Sequence, residues 1–564
     1  MNYNRNITVG ITAFQHDSSV AVIADDKVIA FAEEERFTRQ KHTGDFPFKS
    51  LQWALNEAKA SHSDVHTLAF YMNPSIIQQR FLAESIPTLA FGGLKAFKKR
   101  LLWTFNFYWQ LETFKKLFSY KTRIVFVPHH HCHAAYTYYL SGFESASIIT
   151  LDSIGEYITT AIFQADGDRL FLIDQIGGLD SLGYVYGAIT EHLGYQRGDG
   201  EGTIMALASL GKIDKQAAQD IILIQPNGRY QINRNYFFER FYDPQGHRLK
   251  SAFYKKFGPK RHFSEELLDT HKNLAATLQY AVEQAVIAYA NRAIQLTDNQ
   301  TICLSGGVSL NSVINHKVRQ IASVRELYIA PAANDGGTSL GAALYSYVST
   351  HKKRPQISES VYLGPSYSNE EILKTLELAK VYYRWVNNPA EIAAEQLTQG
   401  KIIGWFQGKM ESGPRALGNR SILADPRKES MKHKLNNEVK FREWFRPFAP
   451  AILKECVFEW FETLTDDLPY MLEVVPIRES KLSKIPGVSH FDGTARVQTV
   501  SEENNKIFFE LLKHFKKLTG VPIVINTSFN IKGEPIVAKP ADALRCFYST
   551  GLDSLIVGNY LIEK

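Results

Sequence analysis

Cysteine is scarce in this chain, with four among 564 residues and no pair in CxxC spacing. This pattern excludes a disulfide framework and is typical of proteins in a reducing compartment. The first residues lead directly into a predicted strand without an apolar leader. We therefore expect a cytoplasmic protein.

Long hydrophobic runs and a P-loop are also missing. The longest uncharged run in the most aromatic stretch, residues 101–111, is too short to cross a bilayer, so no transmembrane segment is expected. The absence of GxxxxGK[ST] excludes a P-loop. The net charge of +6 arises from cations spread along the chain, which suits anionic substrates without requiring nucleic acid. No nucleic-acid partner is expected.

The length of the chain predicts two large domains. A polar stretch at 349–355 is the best linker, which gives domains at 1–350 and 356–564. Between about 75 and 121 the first domain carries many aromatic residues and lysines, which predict a helical insertion. Packing on the main domain is favoured for this insertion, and acceptor binding or membrane-surface binding remain alternatives.

The run His-His-His-Cys-His at 129–133 is the strongest candidate for metal binding. If it is helical, His129 and His133 lie one turn apart on the same face, and Asp152 ends an apolar strand nearby in sequence. Asp335, in a glycine-rich loop, could complete the shell. Two imidazoles and two carboxylates suit iron, manganese or zinc better than calcium. The alternative is a chance histidine run in a solvated loop.

A three-strand pattern with an acidic tip after its first strand occurs at residues 7–35 and again at 146–177. Paired tips of this kind hold nucleotide phosphates in the actin, Hsp70 and sugar-kinase (ASKHA) superfamily, which the first half is similar to. A third strand, 301–304, leads into Ser305-Gly306-Gly307, where glycines let the backbone approach a ligand. The first half is therefore predicted to be a duplicated α/β domain of this type.

The second half shows the pattern of an anion site. A glycine-rich loop at 404–423 contains Lys409, Arg415 and Arg420, and further basic residues follow at 440, 442, 446 and 496. A buried-type strand delivers polar residues at 526–530. Guanidinium forks bind phosphate oxygens in pairs, so the pattern predicts a phosphate-bearing small molecule. A surface ion pair is the simpler alternative for any one of these arginines.

Over nearly its whole length the chain resembles the O-carbamoyltransferases of the NodU/CmcH/TobZ family. The stretches that carry the resemblance are 10–19, 32–42, the HHxxHA run, Leu151-Asp152, 305–308, 411–418, 492–497 and 526–530. The resemblance implies α/β and α+β architecture. It implies an N-terminal half like the threonylcarbamoyl transferases, with ASKHA fold, and a YrdC-like C-terminal domain.

Site residues are implied by matching this chain to the family motifs. The metal positions are His129, His133, Asp152 and Asp335, and the expected ion is Fe2+, with Mn2+, Mg2+ or Zn2+ as alternatives. The carbamoyl phosphate positions are Arg415, Arg446, Arg496, Asn526 and Ser528. The adenylate positions are Ser305, Gly306, Gly307 and Asn311, and the residues near the reacting carbamoyl group are His16 and Lys41.

The activity that the resemblance implies is ATP-dependent transfer of a carbamoyl group. Carbamoyl phosphate would supply the group, carbamoyl adenylate would carry it, and the acceptor would be a hydroxyl of a small molecule, as in antibiotic, natural-product or sugar tailoring. The alternatives are a threonylcarbamoyl-type transferase that acts on tRNA, a small-molecule kinase of the ASKHA superfamily and a non-catalytic actin-like scaffold. A homodimer is left open.

Overall fold

The computed structural model describes residues 5–238, 248–357 and 361–564. The chain forms two compact units, the first built from Met1–Phe31 and Gly44–Ser358 and the second from Ala32–Thr43 and Glu359–Lys564. The predicted domain boundary placed all of 1–350 in one domain, whereas the structure groups Ala32–Thr43 with the second unit. Two arginines hold this segment there: Arg36 Nη2 donates to Gly413 O at 2.7 Å, and Arg39 Nη1 donates to Ile536 O at 2.6 Å.

The strands and helices are numbered in chain order. The strands are β1 Ile7–Thr12, β2 Ser19–Ala24, β3 Lys27–Glu33, β4 Thr67–Phe70, β5 Arg123–Phe126, β6 Ser145–Leu151, β7 Ile158–Asp166, β8 Arg169–Gly177, β9 Ile222–Ile224, β10 Tyr230–Ile232, β11 Thr301–Ser305, β12 Glu326–Ile329, β13 Arg384–Trp385, β14 Ile403–Phe406, β15 Arg420–Ala424, β16 Ala449–Leu453, β17 Val474–Pro476, β18 Thr494–Arg496, β19 Gln498–Val500, β20 Ile523–Ser528, β21 Ser554–Val557 and β22 Tyr560–Glu563. The α-helices are α1 Glu35–Thr38, α2 Phe48–Glu57, α3 Pro74–Lys115, α4 His129–Ser141, α5 Leu182–His192, α6 Glu201–Ala208, α7 Lys215–Ile221, α8 Ser251–Phe257, α9 Asp269–Thr297, α10 Ser312–Arg319, α11 Thr338–His351, α12 Asn369–Leu378, α13 Pro389–Thr398, α14 Glu429–Lys434, α15 Val457–Trp460, α16 Glu479–Leu482, α17 Lys506–Thr519 and α18 Pro540–Tyr548.

Two five-stranded sheets with the same connectivity form the centre of the first unit. One has the order β3-β2-β1-β4-β5 and the other β8-β7-β6-β11-β12. In one sheet β1 pairs antiparallel with β2 and parallel with β4, and β4 pairs parallel with β5. In the other sheet β6 pairs antiparallel with β7 and parallel with β11, and β11 pairs parallel with β12. This repeat confirms the duplicated α/β domain predicted for the first half.

Continuous apolar runs produce the central strands of these sheets. All six residues of β1 are buried, as are the last six of β6, which is the pattern of strands covered on both faces. Helix α4 packs close to β6, β11 and α11. It begins after Pro128 and ends at Ser141, because the following Gly142 has a φ of 77°. The predicted helix at the histidine run is therefore present, and it lies against the ends of two buried strands.

The aromatic segment forms a helical hairpin, by which we mean residues 74–115 of α3. The helix is broken at Gly93, where φ is 70° and ψ is −178°. Only one side of it is buried: Phe107, Leu111 and Phe114 join the core around β1 and β4. Leu102, Phe105 and Trp109 lie on the opposite side and are exposed. Packing on the main domain therefore accounts for one face only.

The second unit is organised around an eight-stranded mixed sheet in the order β13-β22-β21-β14-β15-β20-β16-β19. Strand β20 lies inside this sheet between β15 and β16 and ends at the predicted polar residues 526–528. The short pair β17–β18 carries Arg496 at the end of β18.

In the part of the chain that the structure describes, no helix combines the length and the apolar character that a bilayer crossing needs.

Candidate metal centre and cationic cluster

Helix α4 is held at its first residue by the buried carboxylate of Glu156. Both oxygens of this carboxylate accept from the backbone N–H of His129 at 3.2 Å, and Oε1 also accepts from Asn73 N at 2.7 Å. A negative charge at a helix N-terminus satisfies N–H groups that have no partner within the helix. Glu156 therefore fixes the position of the first predicted ligand. It belongs to the acidic tip after β6, but it was not among the predicted site residues.

The structure brings together all four residues predicted to bind the metal. His129, His133, Asp152 and Asp335, which we call the His–Asp cluster, are buried, and their ligand atoms lie within 4.8 Å of one another. The two histidine Nε2 atoms are 3.1 Å apart, and His129 Nε2 is 3.2 Å from Asp152 Oδ2. Asp335 Oδ1 is 3.6 Å from both Nε2 atoms.

The two shorter distances fit a shared cation, and the two of 3.6 Å are slightly longer than such a cation would give. Ligand atoms about 2.1 Å from one ion lie roughly 3.0–3.4 Å from one another in tetrahedral or octahedral shells. Asp335 Oδ1 is also buried without a hydrogen-bond partner among the described residues. Burial opposes ionisation of Asp152, but His129 and His133 hold its pKa well below the usual range. The cluster thus offers ionised carboxylate oxygens to a divalent ion, together with imidazole nitrogens that lose their protons when the ion binds.

His133 is oriented by a residue predicted to lie along the adenylate. Its Nδ1 is 3.2 Å from the hydroxyl of Ser305, the last residue of β11. Hydrogen bonds to the second ring nitrogen fix the orientation of histidine ligands in metal sites. Ser305 is therefore placed to direct His133 Nε2 toward the cluster.

His16 lies beside the cluster, half exposed. Its Nε2 is 3.6 Å from Asp335 Oδ2, and its Nδ1 is 3.2 Å from Asp17 Oδ2. Burial acts to lower the pKa of His16, but Asp335 and Asp17 outweigh it and raise the pKa to about 9. A cation in the cluster would neutralise part of this attraction and lower the pKa again.

The predicted adenylate loop approaches the cluster through its backbone. Gly307 N–H donates to Asp152 Oδ1 at 3.2 Å. Gly306 has a φ of 94°, and a Cβ there would lie 2.2 Å from Leu151 O. Asn311 caps α10 by accepting from Ile314 N at 3.2 Å. The loop is thus fixed at both ends, with the glycines next to the cluster.

We expect Gly306→Ala to destabilise the first unit by about 2–4 kcal/mol, because the new Cβ meets rigid backbone in a conformation that favours glycine. Gly202→Ala is the control, since Gly202 is in α6 with open space around its Cβ position, and there alanine should stabilise by up to about 1 kcal/mol. Denaturant unfolding of both variants measures the difference. Equal stability of the two would contradict the close approach.

The second unit concentrates positive charge at one place. The cationic cluster consists of Lys41, Arg415, Lys440, Arg442, Arg446 and Arg496. Burial and Arg446 lower the pKa of Arg415 to about 10. Burial, together with Arg415, Arg442 and Arg446, also lowers the pKa of Arg496. Charges that repel one another in a partly buried site are stabilised when an anion binds among them.

Lys440 and Arg442 belong to this cluster; the sequence pattern included them in the predicted anion site, but they were not among the residues matched to carbamoyl phosphate. Lys440 Nζ donates to Ser528 Oγ at 3.2 Å and to Asn530 Oδ1 at 2.8 Å, so it lies at the end of β20. Burial and Arg442 lower its pKa to about 7. Lys41 contributes to that lowering, which places this predicted residue near Lys440. The recurrence of basic residues at 440, 442 and 446 was the available signal.

Asn526 lies in β20. Its Nδ2 donates to Gln498 Oε1 at 2.8 Å and to Ala416 O at 3.2 Å, beside Arg415. Its Oδ1 is buried and has no hydrogen-bond partner among the described residues. A buried acceptor of this kind is available to a ligand that carries a donor, such as an amide NH2.

The glycine-rich loop of the second unit is folded around Glu411. Glu411 Oε1 accepts from the backbone N–H of Leu417 at 2.6 Å, and from those of Asn419 and Arg420 at 3.3 and 3.2 Å. Arg420 is buried and lies over the Phe406 ring at 3.6 Å, and its Nη1 and Nη2 donate to backbone carbonyls. Arg420 therefore supports the loop, while Arg415 belongs to the cationic cluster.

Comparison with known proteins identifies the family. The family model of the carbamoyltransferase N-terminus matches residues 7–344, and that of the carbamoyltransferase C-terminus matches residues 394–564. The chain therefore belongs to the carbamoyltransferase family and is a transferase. This result confirms the resemblance predicted from the sequence motifs.

Individual relatives match over much of the chain. An uncharacterised Synechocystis protein, sll1178, is 35% identical and covers 99% of this chain and 96% of its own length. The nodulation protein NolNO of Sinorhizobium fredii is 35% identical over 98% of this chain and 79% of its own. A 3'-hydroxymethylcephem-O-carbamoyltransferase of Amycolatopsis lactamdurans is 34% identical over 48% of this chain and 50% of its own.

Proposed function

We propose that this carbamoyltransferase moves the carbamoyl group of carbamoyl phosphate, by way of carbamoyl adenylate, to a hydroxyl of a small molecule. ATP supplies the adenylate, and the second unit is a YrdC-like domain that forms it. The observation that carries the proposal is the cationic cluster. Burial and neighbouring cations lower the pKa of Arg415, Lys440 and Arg496, as expected for a site that stabilises a phosphate-bearing donor.

In the second unit each ligand group has a matching side chain. The guanidinium groups of Arg415, Arg446 and Arg496 neutralise the phosphate, which leaves when water attacks the carbamoyl carbon and carbamate forms. Asn526 Oδ1 accepts from the carbamoyl NH2. A carbamate oxygen then attacks the α-phosphorus of ATP, and pyrophosphate leaves among the same cations.

In the first unit the adenylate reacts with the acceptor. The backbone of Gly306 and Gly307 lies along the adenylate, and Asn311 fixes the end of that loop. A divalent ion in the His–Asp cluster, with Fe2+ as the first expectation, would supply positive charge to the adenylate phosphate. His16 accepts the proton of the acceptor hydroxyl, and AMP leaves. This role needs neutral His16, the form that a bound cation favours.

The acceptor is proposed to be a hydroxyl-bearing small molecule of the antibiotic, natural-product or sugar class. The O-carbamoyltransferase of Amycolatopsis, whose name specifies a hydroxymethyl acceptor, supports this class. The test is to incubate the protein with ATP, isotope-labelled carbamoyl phosphate and a metabolite extract of its source. A metabolite that gains one labelled carbamoyl group only when ATP is present supports the proposal. If the label were found in bulk tRNA, or if metabolites gained a phosphate but no carbamoyl group, the proposal would be contradicted.

Binding of carbamoyl phosphate should weaken as pH rises above about 7. In the free site the pKa of Lys440 is lowered to about 7, so the amine loses its proton above that pH. Phosphate groups are already dianions there, since their second pKa is about 6. Binding favours the ammonium and therefore takes up a proton, so affinity falls by up to about tenfold per pH unit above 7. Titration calorimetry between pH 7 and 9 measures this slope.

The matched variant is Lys440→Met. It should bind carbamoyl phosphate more weakly at pH 7 and show a flatter profile up to pH 9, because the titrating group is gone. A profile as steep as that of the wild type would show that another group titrates.

A further inference from the structure

The helical hairpin exposes large apolar side chains on both of its arms. On the first arm Leu82, Ile86 and Leu89 are 65%, 80% and 49% exposed and follow one another at helical spacing. On the second arm Leu102, Phe105 and Trp109 are 67%, 69% and 61% exposed. A helix that is buried in a core shows the opposite pattern on its apolar side. Rows of exposed apolar side chains of this kind mark a binding face.

The two arms of the hairpin pack against each other, so the exposure of these side chains does not result from poor packing. Its arms are joined by an ion pair of 2.5 Å between Glu84 and Arg100, and Phe81 lies 6.3 Å from Phe97. Tyr108 Oη donates to Pro74 O at 2.6 Å and closes the base. These polar and aromatic contacts lie between the arms, whereas the six apolar side chains named above are exposed to solvent.

Positive charge accompanies the apolar face near the turn at Gly93. Lys95, Lys98 and Lys99 are exposed. Glu84 forms ion pairs with Arg80 and Arg100. Glu112 lies far from the turn and forms an ion pair with Lys115. Among the described side chains of the part near the turn, the exposed charges are therefore all positive. Lys98 lies in the same helical row as Leu102, Phe105 and Trp109, where its stem can lie along apolar surface while its ammonium stays in water.

We infer that the helical hairpin docks on the surface of an anionic phospholipid bilayer. Its apolar face would enter the boundary between head groups and acyl chains, and the three lysines would contact lipid phosphates. A second copy of the chain fits less well, because face-to-face pairing would bring two sets of lysines together. The inference is independent of the proposed carbamoyl chemistry.

Docking would also set the position of the candidate metal centre. The base of the hairpin is joined to it through Glu156, which accepts from Asn73 N at 2.7 Å and from His129 N at 3.2 Å. The arm from Pro74 to Gly92 has a length of about 28 Å at 1.5 Å per residue. The His–Asp cluster would thus be held near the membrane at a distance fixed by one helix.

The test is cosedimentation of the full chain with vesicles. One set is phosphatidylcholine alone, and the other is two parts phosphatidylcholine to one part phosphatidylglycerol. The wild type should bind the anionic vesicles, and binding should weaken with salt. The triple variant Lys95→Gln, Lys98→Gln, Lys99→Gln should bind them roughly 100-fold more weakly. Phe105→Ser with Trp109→Ser should also lose binding, because apolar contact is removed.

A matched control removes the same charge elsewhere in the first unit. Lys212, Lys215 and Lys255 are exposed, and their change to glutamine should leave vesicle binding as in the wild type. The inference is overturned if the wild type binds neither set of vesicles, or if the two triple variants bind the anionic vesicles equally well. It is also overturned if the wild type is a dimer in solution that Phe105→Ser with Trp109→Ser converts to a monomer, without vesicle binding. Analytical ultracentrifugation gives that last result.

Discussion

Changing His133 to alanine should remove the bound metal and reduce carbamoyl transfer by at least about 1000-fold, because several kcal/mol of charge stabilisation depend on the ion. His133 contributes one of the four ligand side chains, and its Nε2 lies 3.1 Å from that of His129. Metal content by mass spectrometry and transfer from supplied carbamoyl adenylate measure the two effects. This is the largest change we expect from a single substitution.

The neighbouring residue His131 is the matched control for this experiment. It lies on the same helix but packs edge-on against Phe163 and Tyr345, at 4.9 and 5.9 Å. His131→Ala should therefore keep the metal and the transfer activity, whatever it costs in stability. If His133→Ala retains full metal content and turnover, the assignment of the His–Asp cluster is wrong.

The second large effect is expected at Arg496. Arg496→Ala should lower the formation of carbamoyl adenylate from carbamoyl phosphate by at least about 100-fold, because a buried guanidinium–phosphate contact is lost. Transfer from supplied carbamoyl adenylate should continue, since that step is assigned to the first unit. The variant should be no less stable than the wild type, because the pKa of Arg496 is lowered by burial and by the surrounding arginines.

Arg478 provides the control in the same unit. It is exposed and donates through Nε to the backbone oxygen of Phe458 at 2.8 Å. Arg478→Ala should leave both half-reactions unchanged. Equal loss of both half-reactions in a folded Arg496→Ala protein would contradict the assignment of donor activation to the second unit.

Much of the fold was predictable because it follows from local periodicity. The one-turn spacing of His129 and His133 predicted a shared helix face, and the repeated strand pattern predicted a duplicated domain; both features are present. Asp152 was predictable as a partner because it follows the buried strand β6. Asp335 was predicted as a ligand only from its position in a glycine-rich loop, and the structure places it in the His–Asp cluster.

Other features depend on tertiary contacts that have no local pattern. The grouping of Ala32–Thr43 with the second unit follows from the bonds of Arg36 and Arg39 to distant carbonyls. The position of Lys440 beside Ser528 joins residues 88 apart in sequence. In the helical hairpin the aromatic spacing indicated a helix correctly, but the same spacing is compatible with a buried or an exposed face.

The products of ATP test the central claim most directly. The protein is incubated with ATP and carbamoyl phosphate in the absence of an acceptor, and the nucleotides and phosphates are separated. Formation of carbamoyl adenylate predicts pyrophosphate and the adenylate or its hydrolysis product AMP in equal amounts, only when carbamoyl phosphate is present. Formation of ADP instead, or release of pyrophosphate that does not depend on carbamoyl phosphate, would contradict the proposed route.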